Sequence, residues 1–227
     1  MLEKAAKNNQ MQFRVAPMMD WTDRRCRVFH RALSARALRF TVMVTAGAGI
    51  HGDRDKLLGF DQVERRLVIQ LGGSDPEKLF RASQIAAQWG YDGLNLNGGC
   101  PSDRVQSGRF GACLMREPAL VADLFRAMVE GGGGLEVTIK HRLGVDEQEP
   151  AETLLPFVDT VAAAGCTGFY VHARKAWLKG LSPRENREVP PLDYAQVHAL
   201  KTARPDLQIM LNGGLVDLAQ AQRAGAG

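Results

Sequence analysis

Short runs rich in β-branched and aromatic residues recur along the chain, separated by longer stretches of helical periodicity. The runs are FRVAPM (13–18), FTVMV (40–44), LVIQL (67–71), GLNLN (93–97), EVTIKH (136–141), GFYVH (168–172) and QIMLN (208–212). Their first residues lie 26 to 43 positions apart, the rhythm of repeated βα units. Helix signals fill the intervals. Ser74 and Glu77 predict a capping box with Asp75 and Pro76 in the first turn, and Gly90 predicts the stop. Helices are also expected over 117–129, which opens with a proline, and over 150–165, which ends at a glycine. Seven βα units without a long linker predict an α/β fold, a TIM (β/α)8-type barrel truncated after strand seven. A doubly wound open sheet is the alternative; no GxGxxG follows the first run, which counts against it. On this reading residues 1–12 are a polar N-terminal tail and 13–227 an incomplete barrel domain.

The alternation inside each run sorts inward from outward positions. Asn95 and Asn97 oppose Leu94 and Leu96; Thr138 and Lys140 oppose Val137 and Ile139. Gln70 shares a face with Val68, and Tyr170 shares one with His172. Helices cover the outside of a barrel, so the polar faces are expected to point inward. Most of these polar residues fall at the C-terminal ends of their strands, where barrels of this class keep their sites. A lone inward Asn or Gln is as often a satisfied core group, and a lone His is more often structural. An inward lysine is different, because burying an ammonium without a partner is costly. Lys140 is therefore the leading functional candidate. LNGG (211–214) after the seventh run offers backbone N–H groups where a phosphate could bind.

The stretch NLNGGCPSDRVQ (95–106) places Cys100 between Gly99 and Pro101. Neither neighbour favours regular helix or strand, so the thiol sits on a tight turn rather than in a core. The four cysteines, Cys26, Cys100, Cys113 and Cys166, lie far apart and form no CxxC. That pattern argues against a disulfide framework and against a zinc site, and suits a reducing cytoplasm. No apolar run approaches the ~18 residues of a membrane span. The net charge is +4. Within 172–187, Arg174, Lys175, Lys179, Arg184 and Arg187 face only Glu185, so this segment alone carries an excess of 5 − 1 = +4. A basic loop of that kind fits a polyanionic partner.

VAPMMDWTDRRCR (15–27), IQLGG (69–73), NLNGGCPSDRVQSGRFGACLM (95–115), IKHRLG (139–144), HARKAWLKGLSPRENREVPPLDY (172–194) and LNGG resemble, in order, the motifs of the tRNA-dihydrouridine synthases, and the long basic motif resembles subfamily A. The resemblance implies a TIM barrel that reduces the C5=C6 bond of D-loop uridines in tRNA. NADPH (or NADH) would reduce FMN, the flavin would give hydride to C6, and Cys100 would protonate C5. An ordinary thiol, with a pKa of about 8.5, is mostly protonated at neutral pH and can act as such an acid. By the same resemblance, Pro17, Met18 and Met19 would lie against the flavin and Gln70 would bond its edge. Lys140 would stabilise charge on the reduced ring, His172 would hold the cofactor, and Asn212, Gly213 and Gly214 would grip the phosphate. Asn97 would contact the uridine, and Arg184 and Arg187 the tRNA backbone. The implied protein is a monomer without metal. Departures from the family pattern are the missing helical C-terminal domain, the missing Gly-Arg motif after strand eight, Val42 in place of an acid, and Gly98 in place of a larger residue. Competing expectations are a flavin reductase acting on a free pyrimidine, as in dihydroorotate dehydrogenases, a truncated relic that binds RNA or flavin without turnover, and, remotely, a Schiff-base aldolase using Lys140.

Overall fold

The computed structural model describes residues 12–225, so the tail expected over 1–12 lies outside the described residues except for Gln12. One sheet holds seven strands in sequence order. They are β1 (Arg14–Val15), β2 (Leu38–Thr45), β3 (Leu67–Gly72), β4 (Gly93–Gly98), β5 (Glu136–His141), β6 (Gly168–His172) and β7 (Gln208–Asn212), all paired in parallel. The connections carry α1 (Arg24–Leu33), α2 (Ala46–His51), α3 (Arg54–Leu58), α4 (Pro76–Trp89), α5 (Asp103–Ser107), α6 (Pro118–Gly131), α7 (Pro150–Ala163), α8 (Tyr194–Ala203) and α9 (Leu218–Ala224). β5, β6 and β7 coincide with the runs read from the sequence. β1 is shorter than 13–18 because Pro17 has no N–H to give to the ladder.

The sheet is curled. Phe40 on β2 and Tyr170 on β6 meet edge to face with ring centroids 5.1 Å apart. In a flat sheet the four intervening spacings of about 4.8 Å would hold them roughly 19 Å apart. Arg14 on β1 donates to the Tyr170 hydroxyl and lies over its ring, closing the interior further. Phe40, Val68 and Tyr170, with Leu38 and Met210, fill this inner layer. The alternate residues, including Ile69, Leu71, Leu94, Leu96, Ile139, Phe169 and Val171, pack outward with Leu79, Val121, Phe125, Phe157 and Val161 of the helices. The hydrophobic alternation thus serves two cores, one inside the curl and one beneath the helices. β1 and β7 are the edges of the sheet.

The start of α4 differs from the expected capping box. Asp75, not Ser74, is the N-cap, and its carboxylate accepts from the N–H groups of Glu77 and Lys78. Pro76 occupies the first helical position, which fixes the preceding residue as the cap. Ser74 instead donates its hydroxyl to the Gly108 carbonyl at 2.9 Å. α4 ends at Gly90 with a left-handed φ of 80°, as its sequence predicts. α6 approaches α4 closely at Gly131, where a Cβ would stand 2.3 Å from the Phe80 carbonyl oxygen.

Candidate active site

Polar side chains from β3, β4, β5 and β6 converge inside the curl. They form a chain of amides that runs in one direction. The Gly99 and Cys100 N–H groups donate to Asn97 Oδ1 at 3.2 and 3.1 Å. Asn97 Nδ2 donates to Gln70 Oε1 at 2.7 Å, and Gln70 Nε2 donates to Asn95 Oδ1 at 2.8 Å. Asn95 Nδ2 then donates to Thr138 Oγ1 at 2.9 Å, and the Thr138 hydroxyl donates to the Leu94 carbonyl at 3.3 Å. The backbone donors at one end fix which way each amide points, and the buried members are satisfied. Asn97, expected to meet a base, therefore directs Oδ1 and one Nδ2 hydrogen at the protein and aims the cysteine turn. A further bond, from Ala112 N–H to the Cys100 carbonyl at 2.9 Å, holds that turn from outside. Cys100 Sγ, partly exposed, donates to Ser102 Oγ at 3.4 Å.

Lys140 pairs in register with Asn97 on one side and Tyr170 on the other. Among the described residues its ammonium has no carboxylate beside it. Burial, and after it the Arg142 guanidinium, push the Lys140 pKa down to about 7. Partial solvent access at the mouth tempers that desolvation. Arg142, 3% exposed, likewise has no acidic partner and is pushed down to about 10, chiefly by burial. It donates Nε to the Gly99 carbonyl at 3.2 Å, and Nη1 to the carbonyls of Lys175 at 3.2 Å and Asn186 at 2.7 Å. His172 is buried, and burial together with the cations Arg142, Lys140, Arg174 and Arg187 holds its pKa far below the usual imidazole value. It is neutral at physiological pH. The site is thus a mouth lined by buried basic groups, a setting typical of functional sites.

The edges of the mouth come from the first and last strands. Met18 and Met19 are exposed and Pro17 is partly buried. Thr22 accepts from Met18 N–H at 3.1 Å and its hydroxyl returns a bond to the Met18 carbonyl. Arg27 donates to the Thr22 carbonyl at 2.9 Å and to the fully buried Glu64 at 2.6 Å, anchoring the segment. Across the mouth, Asn212 pairs with His172 in register. Gly213 has φ 103°, and a Cβ there would stand 2.5 Å from His172 Cδ2; Gly214 has φ 67°. Tyr194 donates its hydroxyl to the Gly213 carbonyl at 2.8 Å. Arg184 and Arg187 are exposed on the loop after β6, and Arg184 pairs with Glu188 at 3.2 Å, just beyond the basic window. A cleft of about 530 Å³ between α1 and the turn Gln62–Glu64 is lined by none of the residues that the sequence singled out as site candidates.

Arg142 was not singled out from the sequence, although extending the alternation of Thr138 and Lys140 by two residues places it inward. Asn186 and Gln106 carried no local signal. Asn186 is fully buried; its Oδ1 accepts from Trp177 N–H and its Nδ2 donates to the carbonyls of Trp177, Leu181 and Ser182.

A curled parallel sheet with a cationic mouth at the C-terminal ends of its strands defines a TIM-barrel-like α/β protein. Residues 14–226 match the Dihydrouridine synthase (Dus) family, to which the chain belongs. A tRNA-dihydrouridine(20/20a) synthase of Xanthomonas campestris pv. campestris is 59% identical over 214 residues, 94% of this chain and 64% of the relative. One of Shewanella oneidensis is 56% identical over 217 residues, 96% of this chain and 64% of the relative. The chain therefore spans under two thirds of the length of these relatives. Among solved structures, an old yellow enzyme homologue from Zymomonas mobilis aligns with a TM-score of 0.62 at 11% identity, covering 94% of this chain and 81% of that one. That likeness concerns the fold. No helix among the described residues is long and apolar enough to cross a membrane.

Proposed function

We propose that residues 13–227 belong to the FMN-binding catalytic barrel of a tRNA-dihydrouridine synthase, which reduces a D-loop uridine to 5,6-dihydrouridine. The observation that carries this reading is the turn-borne Cys100, aimed by Asn97 over a mouth where Lys140 and Arg142 have no carboxylate. The names of the relatives support the substrate. The residues present fit a flavin phosphate. The uncompensated cations suit an anionic ring, and the left-handed turn at Gly213 and Gly214 brings its backbone close to His172 and Leu192, where a Cβ would stand 2.5 and 2.2 Å from their side chains. Pro17, Met18, Met19, Gln70, Lys140, His172, Asn212, Gly213 and Gly214 would hold it. Bound there and reduced by NADPH, FMN would supply the hydride that C6 of the uridine accepts.

Cys100 would give its Sγ proton to C5, so that hydride and proton together saturate the double bond. The thiolate left behind would be stabilised by the nearby positive charges of Lys140 and Arg142. Ser102 Oγ, hydrogen-bonded to Sγ, offers a route for reprotonation from solvent. Neutral His172 can bond a ligand without adding to the cationic charge. Arg184 and Arg187 would meet the tRNA backbone, and the target base must leave its stack to reach the mouth. Their exposure beside the mouth favours tRNA over a free pyrimidine.

The flavin spectrum of the purified protein and dihydrouridine formation on a tRNA transcript test the proposal together. Cys100→Ala should keep the flavin absorbance and lose roughly 100-fold or more in turnover, the usual worth of a positioned acid. Undiminished turnover in that variant refutes the role of Cys100. A protein that gains no flavin band on addition of FMN refutes the reading as a whole.

A further inference from the structure

Two loops reach the mouth from distant parts of the chain, the cysteine turn at 98–102 and the basic loop at 174–188. Loops joined only at their own ends move independently. These two are joined to each other. Gln106, on α5, donates from the same Nε2 to the Pro101 carbonyl at 2.8 Å and to the Leu178 carbonyl at 2.7 Å. One amide nitrogen thus places one hydrogen on each loop. Arg142 makes a second bridge between the same segments, from Gly99 to Lys175 and Asn186. Asn186 closes the basic loop upon itself through three carbonyls. Arg184 and Arg187 flank it, so they are carried on a ring of backbone rather than on a free strand.

We propose that Gln106 is a positioning residue that couples the basic loop to the Cys100 turn, so that RNA engaging Arg184 and Arg187 adjusts the placement of the Cys100 thiol. The nature of the polyanion rests on the function proposed above; the bridge itself does not. Load on the loop reaches Leu178, passes through one side-chain amide to Pro101, and arrives one residue from Cys100. Arg142 alone would still join the loops, but it reaches the cysteine turn only at Gly99, through a longer bond of 3.2 Å. Residue 106 needs two donors on one atom. A carboxylate in the same shape would set an oxygen against both carbonyls, and leucine would offer neither donor.

The test compares the wild-type protein with Gln106→Glu and Gln106→Leu. Iodoacetamide alkylation of Cys100 is followed by peptide mass spectrometry with and without a tRNA transcript, with Cys26 on α1 as the internal control, and tRNA affinity is measured alongside. In the wild type, bound tRNA should change the Cys100 rate by about fivefold or more, the factor of one net hydrogen bond. In both variants that response should shrink below about twofold while tRNA affinity holds within about threefold, because the bridge touches no RNA-contacting side chain. Limited trypsin cleavage after Lys179, without RNA, should quicken about fivefold in both variants. A variant that answers tRNA as the wild type does overturns the coupling. If the wild type binds no tRNA, the functional reading falls and the trypsin arm alone decides the bridge: unchanged cleavage refutes it, faster cleavage in both variants upholds it.

Discussion

Replacing Asn97 by alanine removes three hydrogen bonds at once. Gly99 N–H and Cys100 N–H lose their acceptor, and Gln70 Oε1 loses its donor. Asn97 is 8% exposed, so little solvent reaches these groups in compensation. At a net ~1 kcal/mol per bond, the loss is about 3 kcal/mol, a large part of the 5–15 kcal/mol that holds a typical domain. For a chain of this size that corresponds to a fall in Tm of roughly 6–12 °C. Asn97→Asp separates the two halves of the effect. Its carboxylate can still accept from both N–H groups of the turn but opposes Gln70 Oε1. Urea unfolding followed by circular dichroism gives the stability, and alkylation of Cys100 reports the turn. Asn97→Ala should change the Cys100 rate by about fivefold or more, while Asn97→Asp stays within about twofold. The reasoning fails if Asn97→Ala loses under ~0.5 kcal/mol with Cys100 equally reactive, since the bond from Ala112 would then suffice to hold the turn.

Gly213→Ala meets both a left-handed φ of 103° and the His172 ring at 2.5 Å, whereas Gly133→Ala has φ 59° and open space. The first should cost ~2–3 kcal/mol and weaken flavin retention, the second ~1 kcal/mol with flavin binding intact; equal losses would show that the ring contact is immaterial. Lys140 titrates near 7 in the fold and near 10.4 when unfolded. Between those values the unfolded chain holds a proton that the folded one lacks, so this lysine makes stability rise with pH by up to ~1.4 kcal/mol per unit. Lys140→Met should therefore be more stable than wild type at pH 7, by a margin that narrows toward pH 9; a constant margin in urea titrations would mean that the ammonium is not desolvated. Gly131→Ala gains helix propensity, but its Cβ would stand 2.3 Å from the Phe80 carbonyl oxygen. The clash should win by ~1–3 kcal/mol, and a raised Tm would show that α4 and α6 can part without penalty.

The sequence by itself determined the seven strands, the side of β3, β4, β5 and β6 that faces inward, and the turn that exposes Cys100. Those features follow from period-two alternation, from glycine and proline, and from the cost of burying a lysine. Each is a property of a few adjacent residues. The tertiary structure decided for the curled sheet expected of a barrel and against the open-sheet alternative, since Phe40 meets Tyr170 across the three strands between them. Packing likewise turned Ser74 toward Gly108, 34 residues away, while the cap of α4 fell to Asp75 because Pro76 takes the first helical position. The largest difference lies at the site. Gln70, Asn97, Lys140 and His172 were legible as inward polar residues, but their partners were not. Asn97 and Gln70 bond each other across two strands, Arg142 bridges two loops, and Gln106 reaches Leu178, 72 residues away. Such bonds depend on which side-chain amides and backbone carbonyls are left unpaired and within reach after the strands have closed. No local pattern encodes that.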